Sequence, residues 1–154
     1  MADNNNSSIH FFVKDITLDL RNRRKLKDFV SFLFNNEKKK LKELDFIFCN
    51  DEFLLEINRK YLKQDNYTDV ISFDLSNSSA EIMGEIYISL HRVKDNAVHL
   101  KQSFLTELHR VIFHGALHLC GYNDKSTGEQ LKMRKKEEYY LNRYFGQVPR
   151  KTVS

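Results

Sequence analysis

Phe113-His114-Gly115-Ala116-Leu117-His118-Leu119-Cys120-Gly121-Tyr122-Asn123-Asp124 is the stretch that decides how this chain is read. His114 and His118 are four residues apart, so on a helix both imidazoles lie on one face, one turn apart. Gly121 can adopt the left-handed conformation that ends a helix and turns the chain back. Asp124 follows within reach of the same face. Two imidazoles and a carboxylate are three protein ligands, which leaves a fourth position open, as in a catalytic rather than a structural zinc site. The expected site is one Zn2+ per chain on His114, His118 and Asp124. The same donor set also serves ferrous iron. The competing reading is a core helix that happens to carry two histidines. The whole spacing, H-x-x-x-H-x-x-G-x-x-D, favours metal.

Outward from this stretch, Ser103 can cap a long central helix running to about Cys120. Phe104, Leu105, Leu108, Val111, Ile112, Phe113, Ala116, Leu117 and Leu119 surround most of its circumference, the pattern of a buried helix. Such a helix is a rigid mount for ligands. Arg110 and Glu107 lie one to two turns before His114. They are either a support behind the ligands or an ion pair of the helix alone. Gly115 is expected to leave floor space beside the metal.

The remaining chain reads as strands near 9–13, 44–49, 69–75 and 82–90, and helices near 24–40, 51–62 and 91–100. Gly84 inside a strand points to a bulge or a close approach by a ligand. Lys38, Lys39 and Lys40 suit the last turn of the first helix. Arg21, Arg23, Arg24, Lys25 and Lys27 at its start are candidate phosphate contacts. Ser126-Thr127-Gly128-Glu129 fits a capping box for the last helix, on which Lys132, Arg134, Lys135, Lys136, Glu137 and Glu138 read as a solvated face. The fold class is α/β (α+β): a single domain at 9–148 with a mixed sheet of about four strands, helices packed on it, and the buried helix carrying the metal ligands. Residues 1–8 and 149–154 read as tails.

With 154 residues and 41% hydrophobic residues the chain can build one packed core. There is no run of 18 apolar residues and no secretory-type start, so neither a membrane span nor a leader is expected. No Gly-rich phosphate loop is present, so no dinucleotide is expected. Cys49 and Cys120 read as buried thiols of a reducing cytoplasm, with Cys120 on a different helix face from His118. The net charge of +4 is compatible with an anionic partner such as RNA.

The spacing is similar to the extended zinc-protease pattern H-E-x-x-H-x-x-G-x-x-H, but Gly115 stands where that pattern has its Glu base. A peptidase therefore lacks its base. A closer resemblance is to the YbeY family of bacterial rRNA maturation factors. The stretch His114 to Asp124 resembles that family's H-G-x-L-H-L-x-G-Y-D-H. Asn58-Arg59-Lys60-Tyr61, followed by Thr68-Asp69-Val70-Ile71-Ser72-Phe73, resembles its N-x-x-Y-R and T-D-V-L-S-F. Met83-Gly84-Glu85-Ile86-Tyr87-Ile88-Ser89 resembles its L-G-D-I-x-I-S. The resemblance implies a zinc-dependent, single-strand-specific endoribonuclease of rRNA maturation (16S rRNA, 3′ end), with single-stranded RNA and the ribosomal small subunit as partners. It implies catalytic roles for His114, His118 and Asp124 through a metal-activated water, and makes Glu85 an acidic position near the groove. Two departures stand out: Asp124 replaces a His, and Leu62 replaces the Arg after Tyr61. Arg59, Lys60 and Lys63 are candidates for the missing cation, and Arg59 is taken as the site residue. The alternatives are a non-catalytic, metal-containing ribosome-biogenesis factor and, further off, a metallopeptidase.

Overall fold

Three strands with apolar residues on both faces pair in parallel, and a short antiparallel strand closes one edge. The computed structural model describes residues 8–146. The element order is β1 (Ile9–Val13), α1 (Arg23–Asn36), β2 (Leu41–Cys49), α2 (Asp51–Tyr61), β3 (Val70–Asp74), β4 (Ile82–Ser89), α3 (Leu90–Leu100), α4 (Phe104–Leu119) and α5 (Thr127–Phe145). The sheet order is β1-β2-β4-β3. β1, β2 and β4 run parallel and β3 pairs antiparallel with β4, so the expected four-stranded mixed sheet is present. The parts of the expected tails at 1–7 and 149–154 lie outside the described residues.

The two sheet faces carry different loads. Leu44, Phe46, Phe48, Ile86 and Ile88 join the buried side chains of α1, α4 and α5 in the main core. Cys49 and Ile71 meet Leu54 of α2 in a smaller cluster on the other face. α4 is buried along most of its length, from Glu107 to Leu119, as its all-round apolar pattern demands. Asn50, Ser103 and Ser126 each cap the helix they precede.

Two boundaries differ from expectation by more than one residue. α1 ends at Asn36, because Glu37 turns inward and Lys38 takes φ 63°. Lys38, Lys39 and Lys40 therefore lie beyond the helix and do not serve its dipole. Glu37 instead accepts hydrogen bonds from Tyr122, Tyr140 and Lys136. Burial opposes its charge, but those three donors outweigh it and hold its pKa below the usual value. β2 begins at Leu41, three residues early, with a register irregularity between Leu41 and Glu43.

Candidate metal centre

α4 approaches the sheet closely because a glycine on each side of the interface makes room for the other element. A Cβ on Gly115 would stand 2.7 Å from Ile86 Cγ2 and 3.2 Å from Ser72 Oγ. Ser72 Oγ donates to the Gly115 carbonyl at 3.0 Å. A Cβ on Gly84 would stand 2.7 Å from Leu119 Cδ1 and 3.0 Å from the Phe73 carbonyl oxygen. These glycines serve helix-on-sheet packing. The floor space expected at Gly115 and the ligand approach expected at Gly84 are both corrected by this geometry.

With Gly115 turned to the sheet, His114 and His118 lie on the flank of α4, their ring centroids 4.6 Å apart. Beyond Leu119 the chain reverses at Gly121, with φ 107°, and the Tyr122 N–H reaches back to the Leu117 carbonyl at 3.1 Å. Tyr122 Oη donates to Glu37 at 2.7 Å, which pins the turn to the end of α1. On the far side, Glu129 accepts from the Lys125 and Ser126 amides, and Gln130 Nε2 donates to the Asp124 carbonyl at 3.0 Å. Asp124 is thus held from both directions. Its Oδ2 stands 3.4 Å from His114 Nε2 and 3.3 Å from His118 Nε2. Ligands at about 2.0–2.1 Å from a tetrahedral zinc are roughly 3.3–3.4 Å from one another. The donor set therefore fits a metal ion in type and in spacing.

Behind the histidines is a residue that sequence reasoning placed in solvent. Glu137 of α5 is 5% exposed, and its Oε2 stands 2.6 Å from His114 Nδ1. A carboxylate can only accept, so Nδ1 carries the proton and Nε2 presents its lone pair toward Asp124 and His118. The signal for Glu137 was available, since Met133, Glu137, Tyr140 and Tyr144 share the buried side of α5 at helical spacing. Arg110 Nη1 binds Glu137 at 3.1 Å, and Arg110 Nη2 binds the fully buried Glu107 at 2.6 Å. Burial opposes the charge on Arg110, but the Glu107 and Glu137 carboxylates outweigh it and raise its pKa. Arg110 and Glu107 are therefore an ion pair that also backs His114 through Glu137, so both sequence readings of them apply.

The other candidates are placed differently. Arg59 Nε donates to Asp65, and Arg59 lines neither groove beside the metal centre. Leu62 does line one of them, in the place where the family pattern has Arg. The lysine on that groove is Lys125. Arg21, Arg23, Arg24, Lys25 and Lys27 line neither groove; Lys25 and Lys27 lie over the rings of Tyr144 and Phe11. Glu85 bonds the Tyr87 hydroxyl at 2.9 Å and lies one strand position from Gly84, so it sits on the sheet face away from α4. Cys120 is buried, and burial pushes its thiol pKa up to about 12, the state of an inert thiol.

Fold and site together define an α+β domain in which two histidines of a buried helix and one carboxylate of the turn after it form a group that could hold a metal ion. The family profile of Endoribonuclease YbeY matches residues 8–145, and the chain belongs to that family. Among curated relatives, Endoribonuclease YbeY of Cytophaga hutchinsonii is 45% identical over 135 residues, covering 88% of this chain and 94% of the relative. Its counterpart from Flavobacterium psychrophilum is 47% identical over 130 residues, covering 84% and 92%. A Thermotoga maritima protein solved in solution shares the fold, with TM-score 0.58 and 23% identity over 94% of this chain and 99% of that one.

Proposed function

We propose that this protein is a zinc-dependent, single-strand-specific endoribonuclease that matures rRNA, acting at the 3′ end of 16S rRNA in the ribosomal small subunit. The observation that carries the reading is the convergence of His114 Nε2, His118 Nε2 and Asp124 Oδ2 at ligand spacing, with His114 oriented from behind. Relatives of this length and identity are named endoribonucleases. His114, His118 and Asp124 would hold the zinc ion, which would supply a nucleophile at neutral pH and polarise a phosphoryl oxygen.

The chain's own residues do the positioning. Glu137 holds the His114 tautomer, and Glu37 and Gln130 fix the loop that carries Asp124. Beside His118 an open groove runs along β3, lined by Gln64, Asn66 and Asn123, whose amides suit the edges of unpaired bases. Lys125 supplies a cation for a phosphate in that groove. Among the described residues no helix is long and apolar enough to cross a membrane. Free Cys49 and Cys120 suit a reducing cytoplasm, where we place the protein.

A single-stranded RNA oligonucleotide and its duplex, offered to wild type and His118→Ala, test the reading. Cleavage of the single strand alone, abolished in the variant, is expected. Equal cleavage by a folded His118→Ala chain would overturn it. Leu62 on the groove favours one second reading, a non-catalytic, metal-containing ribosome-biogenesis factor that binds RNA or protein. Normal rRNA processing in cells carrying a metal-free His118→Ala chain would support that reading instead. A metallopeptidase finds no support, because the position after His114 faces Ile86 and no base there could face the metal.

A further inference from the structure

Asp124 lines two grooves rather than one. The groove along β3, about 460 Å³, reaches His118. The second, about 580 Å³, lies between the end of α3 and α5 and reaches His114. The two metal-facing imidazoles thus open onto different grooves, and the carboxylate stands on the saddle between them. An enzyme that cuts inside a chain holds nucleotides on both sides of the bond it breaks, and a groove lies on either side of Asp124.

The second groove has its own chemistry. Met133 and Leu141 line it, with Leu100 at one side and Gln102, Gln130 and Arg134 around them. Its lining carries no excess of cations: Arg110 and Arg134 stand against Asp124, Glu137 and Glu138, and Arg110 is paired with Glu137 at 3.1 Å. A channel for bare phosphates would be lined with unpaired cations. Apolar side chains flanked by amides instead suit the flat face and polar edge of a base. Gln102 and Gln130 each spend their Nε2 on a protein acceptor, Glu107 and the Asp124 carbonyl. Their carbonyl oxygens are left to accept N–H groups from a base edge. The volume is that of an ordinary small-ligand site.

We propose that the groove between α3 and α5 is a nucleobase subsite, holding one unpaired base on the side of the scissile phosphodiester opposite the groove along β3. This rests on the nuclease reading above. Leu141 and Leu100 receive the face of the base, Gln102 and Gln130 its edge, and Arg134 the phosphate attached to it. Each nucleotide of a duplex is stacked and paired, so occupancy of this groove also selects single strands.

Two readouts on the full chain test the subsite. In the first, labelled protein is titrated with AMP and with UMP and followed by NMR. Shifts at the Gln102 and Gln130 side-chain amides and at Leu141 are expected; shifts confined to the groove along β3, or none, would overturn the subsite. In the second, Leu100→Glu and Arg134→Glu are compared with wild type on an unstructured RNA. Both side chains are at the surface, so both variants should fold, which thermal melting checks. KM is expected to rise about 10-fold in each, with kcat within about 2-fold, the size of one lost base contact. Unchanged KM in both would overturn the subsite while leaving the nuclease reading intact. If wild type cleaves no RNA but the nucleotides still shift the groove between α3 and α5, the nuclease reading fails and the groove stands as a base-binding site without its place beside a scissile bond.

Discussion

Glu137 of α5 accepts a 2.6 Å hydrogen bond from His114 Nδ1 of α4, and this contact decides which nitrogen of that histidine faces the metal centre. Without it the ring is free to rotate and to exchange tautomers. Removing carboxylate partners of metal-bound histidines typically weakens metal binding by about 10–100-fold. Glu137→Ala is expected to lose zinc affinity in that range in a chelator competition. Glu137→Gln, which keeps an acceptor oxygen, should lose less. Equal affinity in all three proteins would remove Glu137 from the metal centre.

Arg110 links two buried carboxylates, Glu107 and Glu137, and lies 3.7 Å from Asp69. Deleting the cation leaves those carboxylates facing one another. Removal of one partner from a buried ion pair costs about 3–5 kcal/mol. Arg110→Ala should therefore lower unfolding stability by about that much in a denaturant titration. Arg110→Lys should recover only part of it, since one ammonium cannot bridge both carboxylates with the planar fork of Arg. A loss of less than about 1 kcal/mol, the value of a surface pair, would show that the network is wetter than its geometry indicates.

Gly115→Ala sets two effects against each other. Ala gains about 1 kcal/mol over Gly in a helix. Its Cβ, however, would stand 2.7 Å from Ile86 Cγ2, a fully buried side chain, and overpacking of this kind costs about 1–3 kcal/mol. The net expectation is destabilisation by about 0–2 kcal/mol. Gly84→Ala has no helix gain and meets the Phe73 carbonyl as well as Leu119, so it should be the worse of the two. Thermal melts of both variants give the order.

His109 supplies a pH dependence. Its Nδ1 bonds the Leu105 carbonyl at 2.8 Å, its Nε2 is buried without a partner, and its ring stacks on Tyr144. Burial holds its pKa below the usual 6.5. The sign follows from proton counting. Above about pH 6.5 both folded and unfolded chains carry the neutral ring and stability is at its full value. Below it the unfolded chain takes up a proton that the folded chain refuses, so stability falls by up to about 1.4 kcal/mol per pH unit. His109→Phe should be the less pH-sensitive protein between pH 6.5 and 5. Parallel stability curves for the two proteins would contradict this.

The parts of the site carried by local spacing were legible in the sequence. H-x-x-x-H-x-x-G-x-x-D encodes a helical face, a left-handed turn and a return, and the structure brings His114, His118 and Asp124 together on those terms. The all-round apolar pattern of α4 likewise foretold its burial. What depended on contacts between distant elements was not legible. Glu137 read as a solvated charge because it follows a run of lysines; its helical spacing to Met133, Tyr140 and Tyr144 marks its burial, but its pairing with His114 is set by how α5 crosses α4. Gly115 read as open space because nothing in sequence says which way a helix face turns; Ile86, 29 positions earlier by number, supplies the reason for the glycine. Arg59 read as a groove cation, but its guanidinium is bound to Asp65.

Metal content, measured by elemental analysis on wild type and Asp124→Ala alongside cleavage of single-stranded RNA, tests the metal centre most directly. About one zinc per wild-type chain is predicted, with both zinc and cleavage lost in the variant. Zinc retained at full stoichiometry in Asp124→Ala, or cleavage that persists without it, would contradict a catalytic centre built on His114, His118 and Asp124.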